Sequence, residues 1–345
     1  MALPAMAISA RQLPPLPADD PRLRIPTLHD AYLARRVISH YLKPTPLLRP
    51  AGLAERLGCD LYLKCENLQP IGAFKVRGGI YFLSQLTPEE RARGVITAST
   101  GNHGQSIAYA ARAFGARAVI YMPEQANPLK VASMRRLGAD VVFEGPDFDA
   151  CRLAAESRAA RDGMYYVHPA NEAWLIAGVA TYTLEIMEEV PDLEVLIVPT
   201  GGGSGLCGAC VAGKGINSNL TVIGVQAVGA PVIHDSWRRR ELLENERLDT
   251  FAEGIATRVA FELPAHVIWN RVDDIWLVTD TELRRAILTL LETTRMLAEG
   301  AGAAAVAAVY QRRDVLAGKK VAAILSGGNL TLDDLKHALD EERAW

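Results

Sequence analysis

From about Leu28 onward, short apolar runs alternate with stretches whose apolar residues recur at helical spacing. Gly94-Val95-Ile96-Thr97-Ala98 reads as a buried strand entering the turn Ser99-Thr100-Gly101-Asn102-His103-Gly104. An alanine-rich helix follows from Gln105 to Phe114 and is stopped by Gly115. Ala118 to Pro123 and Asp140 to Phe143 read as further strands, with helices from Pro128 to Leu137 and from about Phe148 to Arg161. A second series begins with the strand Leu193 to Pro199, which feeds Thr200-Gly201-Gly202-Gly203-Ser204-Gly205 and then a helix. Thr221 to Gln226, Asp274 to Val278 and Val321 to Leu325 are its later strands, with helices at about Asp280 to Leu297 and Ala301 to Arg312 before the last. Such alternation predicts an α/β protein with mostly parallel sheet covered by helices on both faces.

Length and composition narrow the class. A chain of 345 residues exceeds what one hydrophobic core usually supports, so two lobes are expected. Residues 1–26, with Pro4, Pro14, Pro15, Pro17, Pro21 and Pro26, read as a flexible arm without the basic start of a signal peptide. Residues 94–165 read as a block of small-domain size, and 27–93 with 166–345 are expected to make up a large domain. A net charge of −3 supplies no basic footprint for nucleic acid or an anionic membrane, and no apolar run reaches a membrane span. A small neutral or zwitterionic ligand fits better than either. Five scattered cysteines form no disulfide framework, so a cytoplasmic, reducing setting is expected. Cys207 and Cys210 make a C-x-x-C with no second pair beside it, and read as small core residues of a helix rather than a zinc or redox site.

Candidate chemistry starts at Lys75, which closes the run Pro70-Ile71-Gly72-Ala73-Phe74. An apolar lead-in of this kind desolvates an amine, lowers its pKa and suits it to form a Schiff base with a carbonyl. The three glycines of the 200–205 turn let backbone amides approach an anion at a helix start, where a phosphate is the natural guest. This turn is neither a Walker loop nor a dinucleotide fingerprint. Ser99 to His103 place a second set of amides at a helix start, suited to a carboxylate. Ser326 lies at the carboxyl end of a predicted central strand, where open α/β sheets bind ligands and where its hydroxyl can meet a ring nitrogen.

In this order and at these spacings, Gly-Ala-Phe-Lys75, Thr100-Gly-Asn-His-Gly104, Gly201 to Gly205 and Ser326-Gly-Gly-Asn329 resemble the fold-type-II pyridoxal-phosphate enzymes, specifically the serine/threonine dehydratase and serine racemase family. Phe251 to Ala256 and Ala298-Glu-Gly-Ala-Gly302 extend the resemblance, which covers about Leu28 to Leu339. It implies the tryptophan-synthase-β-like fold of two open, twisted, mostly parallel sheets and the cofactor pyridoxal 5'-phosphate. It also implies that Lys75 is the Schiff-base lysine and Cα proton acceptor, and that Phe74 packs on the cofactor ring. Asn102 would bond the cofactor's 3-hydroxyl, and Gly201, Gly202, Gly203, Ser204 and Gly205 its phosphate. Ser326 would face its pyridine nitrogen, with Ser99, Thr100, Gly101, Asn102 and His103 receiving the substrate carboxylate.

The implied reaction is β-elimination from a β-hydroxy amino acid, threonine, serine or a larger 3-substituted serine such as phenylserine, giving a 2-oxo acid and ammonia. Amino-acid racemisation and a non-catalytic ligand-binding role are the alternatives. Three departures from the family pattern bear on them. Ala73 stands where most relatives carry serine, and Thr100 stands where racemising members carry the serine base; a threonine's stiff χ1 makes its hydroxyl harder to re-aim. Gln226 replaces the carboxylate of a divalent-cation site, so a tight Mg2+ or Ca2+ site is not expected. Glu299 is left as a candidate monovalent-cation contact. The resemblance further implies a homodimer and, with the chain ending at Trp345, no C-terminal regulatory domain.

Overall fold

The computed structural model describes residues 7–126, 128–145 and 148–345. Its strands in chain order are β1 (Ala7–Arg11), β2 (Leu47–Leu48), β3 (Asp60–Cys65), β4 (Val95–Ala98), β5 (Ala118–Met122), β6 (Asp140–Phe143), β7 (Tyr165–Tyr166), β8 (Val195–Pro199), β9 (Thr221–Ala227), β10 (Leu242–Asn245), β11 (Asp274–Val278) and β12 (Lys320–Leu325). They form two open sheets and one small ribbon. The six-stranded sheet has the order β11-β9-β8-β12-β3-β2, parallel except for β2. The four-stranded sheet, β6-β5-β4-β7, is parallel throughout.

Strand chemistry explains both sheets. β4, β5 and β8 are buried along their whole length, as continuous apolar runs in a doubly covered parallel sheet require. In β5, Ala118, Ile120 and Met122 pack with Ile107 and Ala111 of the helix Asn102–Ala113, while Val119 and Tyr121 meet Cys151 and Ala155 of the helix Phe148–Asp162 on the other face. In β12, Val321, Ala323 and Leu325 face the alanine-rich helix Gly300–Gln311, and Ala322 and Ile324 face the side of the helix Ser204–Ile216. Alanines at 303, 304, 305, 307 and 308 keep that helix close to the sheet. Thr27, Thr87 and Thr279 each close a reciprocal capping box with the acid three residues on, which satisfies backbone donors at three helix starts.

Several features differ from the sequence expectation. The helix after β4 begins at Asn102, three residues before the alanine-rich stretch, so Asn102 and His103 are helical. The helix Asp280–Thr294 stops short of Leu297 because Arg295 adopts φ +63°. β3 and the helix Val76–Gln85 flank Lys75, yet neither carries a pattern long enough to stand out in the sequence. Of the 1–26 segment, β1 pairs antiparallel with β10, the Ala173 N–H donates to the Arg22 carbonyl, and a His266 ring nitrogen meets the Pro14 carbonyl. Residues 1–6 lie outside the described residues.

Candidate active site

The carboxyl ends of β12, β3, β8 and β4 bring the predicted segments to one place. Lys75 caps the helix Val76–Gln85 in αR conformation, and its carbonyl accepts from Ser106 Oγ at 2.6 Å. The loop before it is tied to the end of β12, since Phe74 N–H donates to the Ser326 carbonyl at 3.0 Å and Ala73 bridges Gly327. Lys75 Nζ lies 5.2 Å from the centre of the Phe74 ring, an apolar neighbour that offers no charge. Burial pulls the amine down to about 8, against the opposing pull of Glu299, which holds it up.

Phe74 stands between Lys75 and the glycine turn. A Cβ on Gly205 would lie 3.3 Å from the Phe74 ring, and Tyr182, edge-on to Phe74, donates from its hydroxyl to the Gly205 carbonyl at 2.8 Å. The turn itself demands glycine. A Cβ on Gly201 would sit 2.4 Å from the Gly254 carbonyl, and Gly203 has φ +98°. Gly202 and the buried Ser204 complete the start of the 13-residue helix Ser204–Ile216. Backbone N–H groups of 201–205 have no protein acceptor among the described residues, so five donors and a helix terminus converge on one spot.

On the other side of Lys75, Ser99 Oγ accepts from Gly101 N–H at 3.2 Å and Gly104 N–H at 2.9 Å. The serine hydroxyl therefore holds the turn in shape, and the backbone N–H groups of Thr100, Asn102 and His103 are the ones left open at the helix start. His103 turns its ring away, with Nε2 3.1 Å from Thr97 Oγ1 and 3.3 Å from the Val167 carbonyl. Burial, with Lys75 nearby, lowers it to about 3, so it is neutral at ordinary pH. Ser326 is buried at the end of β12, and its hydroxyl makes one long contact, 3.4 Å to the Ala301 carbonyl.

Glu299 accepts from Asn102 Nδ2 at 2.7 Å, and Asn102 Oδ1 accepts from Asn329 Nδ2 at 2.7 Å. Burial lifts the Glu299 carboxyl to about 7, only partly offset by the bond from Asn102. No group of three His, Cys, Asp or Glu side chains gathers to hold a metal among the described residues. Gln226, at the position expected to lack a cation ligand, uses its Oε1 instead to accept from the Ile233 and His234 N–H groups, both at 2.9 Å, at the start of the helix Val232–Arg239. Cys207 and Cys210 are fully buried free thiols on one helix, and burial pushes Cys210 up to about 12.

Sequence reasoning missed a buried charge cluster directly behind Lys75. Arg77 grips Glu66 through Nε and Nη2, both at 2.7 Å, and Glu185 through Nη1 and Nη2 at 2.6 and 2.8 Å. Lys64 Nζ pairs with Glu185 at 2.6 Å and donates to the Thr45 carbonyl at 2.7 Å, while Thr45 Oγ1 donates to Glu66 at 2.5 Å. Two cations and two anions balance, and their hydrogen bonds replace the water they lost. The cluster ties β3, the helix carrying Lys75 and the helix Thr181–Glu189 together. Only the mixture of charges within otherwise apolar segments hinted at it.

Two largely parallel α/β sheets whose carboxyl edges bring together a desolvated lysine, a glycine-lined anion site and a second amide site define an enzyme that holds a phosphorylated carbonyl cofactor. The family model for pyridoxal-phosphate dependent enzymes matches residues 38–327, and the chain belongs to that family. It is 42% identical over 315 residues to the L-threonine ammonia-lyase of Thermotoga maritima, covering 91% of this chain and 78% of that protein. Among solved structures it is similar to processed threonine deaminase isoform 2 of Solanum lycopersicum, with TM-score 0.87, 29% identity and coverage of 98% and 92%. It is also similar to serine racemase of Dictyostelium discoideum, with TM-score 0.84, 32% identity and coverage of 90% and 100%.

The residues present fit pyridoxal phosphate. A Cβ at 201 or 203 would crowd the turn, five N–H groups there lack acceptors, the lysine amine is desolvated, and the Ser326 hydroxyl is nearly unengaged.

Proposed function

We infer that this protein is a pyridoxal-phosphate-dependent ammonia-lyase that removes the β-hydroxyl of a threonine- or serine-type amino acid and releases a 2-oxo acid and ammonia. The observation that carries this reading is the Lys75 amine, lowered to about 8 and set between an anion cradle at 201–205 and an amide-lined turn at 99–103. Pyridoxal phosphate, when bound, supplies an electron sink for the pair left at Cα as its proton departs.

The chain's own residues do the rest. N–H groups of Gly201, Gly202, Gly203, Ser204 and Gly205 would hold the cofactor phosphate, and Phe74 would pack against its ring. Ser326 would offer a neutral hydroxyl to the ring nitrogen and Asn102 a donor to the 3-hydroxyl. Open N–H groups of Thr100, Asn102 and His103 would orient the substrate carboxylate, with Ser99 and Gly101 shaping their turn. Lys75 Nζ would take the Cα proton; an amine near 8 is a base matched to neutral solution. His103, neutral and engaged with Thr97 and Val167, takes no proton.

Ala73, fully buried two residues before Lys75, adds no hydroxyl that would select among hydrogen, methyl and larger groups at the β-carbon. A 2-oxo acid assay across L- and D-serine, L-threonine, phenylserine and 3-hydroxyaspartate tests the reading. Turnover of a β-hydroxy amino acid that vanishes in Lys75→Ala is expected; a colourless protein that takes up no pyridoxal phosphate contradicts it. Chiral analysis of residual substrate reads out racemisation in the same reaction.

The large and small domains are proposed to divide where the two sheets divide, with a homodimer acting in the cytoplasm. All five cysteines are buried and none is in a disulfide, in keeping with a reducing setting, and among the described residues no helix is long and apolar enough to cross a membrane. Light scattering of the holoenzyme measures the assembly.

A further inference from the structure

A carboxamide can sit in two orientations related by a half-turn, with oxygen and nitrogen exchanged at almost no steric cost, so its neighbours decide which group points where. Asn102 has two side-chain neighbours. Its Nδ2 donates to Glu299 Oε1 at 2.7 Å, and its Oδ1 accepts from Asn329 Nδ2, also at 2.7 Å. Glu299 by itself does not choose between the orientations. A carboxyl lifted to about 7 is an acceptor when ionised and a donor when protonated, and each form suits a different end of the amide.

Asn329 has no such freedom. Its Nδ2 also donates to the Ile71 carbonyl at 2.8 Å, and a backbone carbonyl only accepts. That bond sets the orientation of Asn329, and the remaining N–H then demands an oxygen from Asn102. Two glycines make room for the chain. A Cβ on Gly72, which has φ +69°, would lie 2.6 Å from Asn329 Oδ1, and one on Gly327 would lie 2.2 Å from Glu299 Oε1. The Gly328 N–H donates to the Gly72 carbonyl at 2.9 Å and pins the two loops together.

We propose that Asn329 is a positioning residue which holds the Asn102 carboxamide in one orientation, so that Asn102 presents its second N–H, and never its oxygen, to the phenolic oxygen of bound pyridoxal phosphate. The proposal rests on the functional reading above. It assigns a purpose to residues of three short segments at once: Ile71 orients Asn329, Asn329 orients Asn102, and the glycines at 72 and 327 admit the partners.

The test uses protein stripped of cofactor and titrated with pyridoxal phosphate, read by visible absorbance and by protein fluorescence. Asn329→Asp keeps the shape but deletes both donors. It is expected to fold with the wild-type circular dichroism spectrum, to bind pyridoxal phosphate about tenfold more weakly, as the loss of one hydrogen bond implies, and to show a lower ratio of visible to near-ultraviolet absorbance. Asn102→Ala should weaken binding at least as much. Because Asn329 acts through Asn102, the double variant Asn102→Ala/Asn329→Asp should bind no more weakly than Asn102→Ala alone.

Asn329→Ser deletes the amide without adding a charge and carries the same expectations if the aspartate variant does not fold. Wild-type affinity and spectrum in the Asn329 variants, or losses that simply multiply in the double variant, overturn the proposal. A wild-type protein that forms no visible band overturns the functional reading and this role with it, whereas a wild-type band copied by the variants overturns this role alone.

Discussion

The Phe74 N–H donates to the Ser326 carbonyl at 3.0 Å, joining the residue before the buried lysine to the end of the central strand. With Ala73 forming an isolated bridge to Gly327 beside it, the lysine-bearing loop is held by main chain to the segment that follows β12. Lys75 is therefore placed by main chain, and its amine is desolvated by position rather than by a chance packing of side chains.

The lowered pKa has a direct kinetic reading. Burial penalises the charged amine, so the free base appears at lower pH than in an ordinary lysine. Cofactor-stripped protein mixed with pyridoxal phosphate should develop its visible band at a rate that rises with pH, reaches half its maximum near about 8 and then levels off. A rate still climbing towards the ordinary lysine value of about 10.4 would show that Lys75 is not desolvated.

The cluster behind the lysine is a liability once opened. Arg77→Met strands the buried Glu66 carboxylate, while Lys64 still pairs with Glu185. Denaturant unfolding is expected to show a loss of about 3–5 kcal/mol. Adding Glu66→Gln removes the stranded charge and should recover part of that loss, a non-additivity that two independent surface substitutions would not show.

Glycine is required at the anion turn and dispensable at position 52. Gly201→Ala drives a Cβ to within 2.4 Å of the Gly254 carbonyl, backbone against side chain, with no flexible group to give way. Equilibrium titration should show pyridoxal phosphate bound at least about tenfold more weakly, a shift of about 1.4 kcal/mol. Gly52→Ala, in the helix Ala51–Leu57 with nothing within 4 Å of the new Cβ, should leave cofactor binding alone and add about 0.5–1 kcal/mol of stability.

Two ion pairs cross from the four-stranded sheet's helices to the segment that closes the glycine turn: Lys130 with Glu253, and Asp149 with Arg258 at 2.6 Å. Glu253 precedes Gly254, whose carbonyl faces Gly201. Lys130→Met is expected to raise KM by up to about fivefold at low salt, the range of an exposed pair. The gap between variant and wild type should close towards 1 M salt, where screening acts over about 3 Å.

Much of the site was legible before any coordinates. Lys75, the glycine turn, the Ser99–His103 turn and Ser326 announce themselves through local chemistry: glycines where backbone must approach an anion, an amine in an apolar run, a hydroxyl ending a strand. Strands β4, β5, β6, β8, β9, β11 and β12 were readable because apolar residues dominate each. β3 and β10 were not, being short segments that mix charged or polar residues with apolar ones: Lys64 lies within β3, and Glu244 and Asn245 within β10.

By itself the sequence determined the α/β architecture and singled out the candidate lysine and candidate anion turns, because hydrophobic period and turn chemistry depend on residues adjacent in the chain. Only the tertiary structure decided which partner each polar group takes. Asn329 meets Asn102 across 227 residues and Arg77 meets Glu185 across 108, pairings that nothing local encodes. It also turned the His103 ring away from the turn and spent the Ser99 hydroxyl on the turn's own amides, since a buried donor or acceptor takes the partner that packing brings within reach.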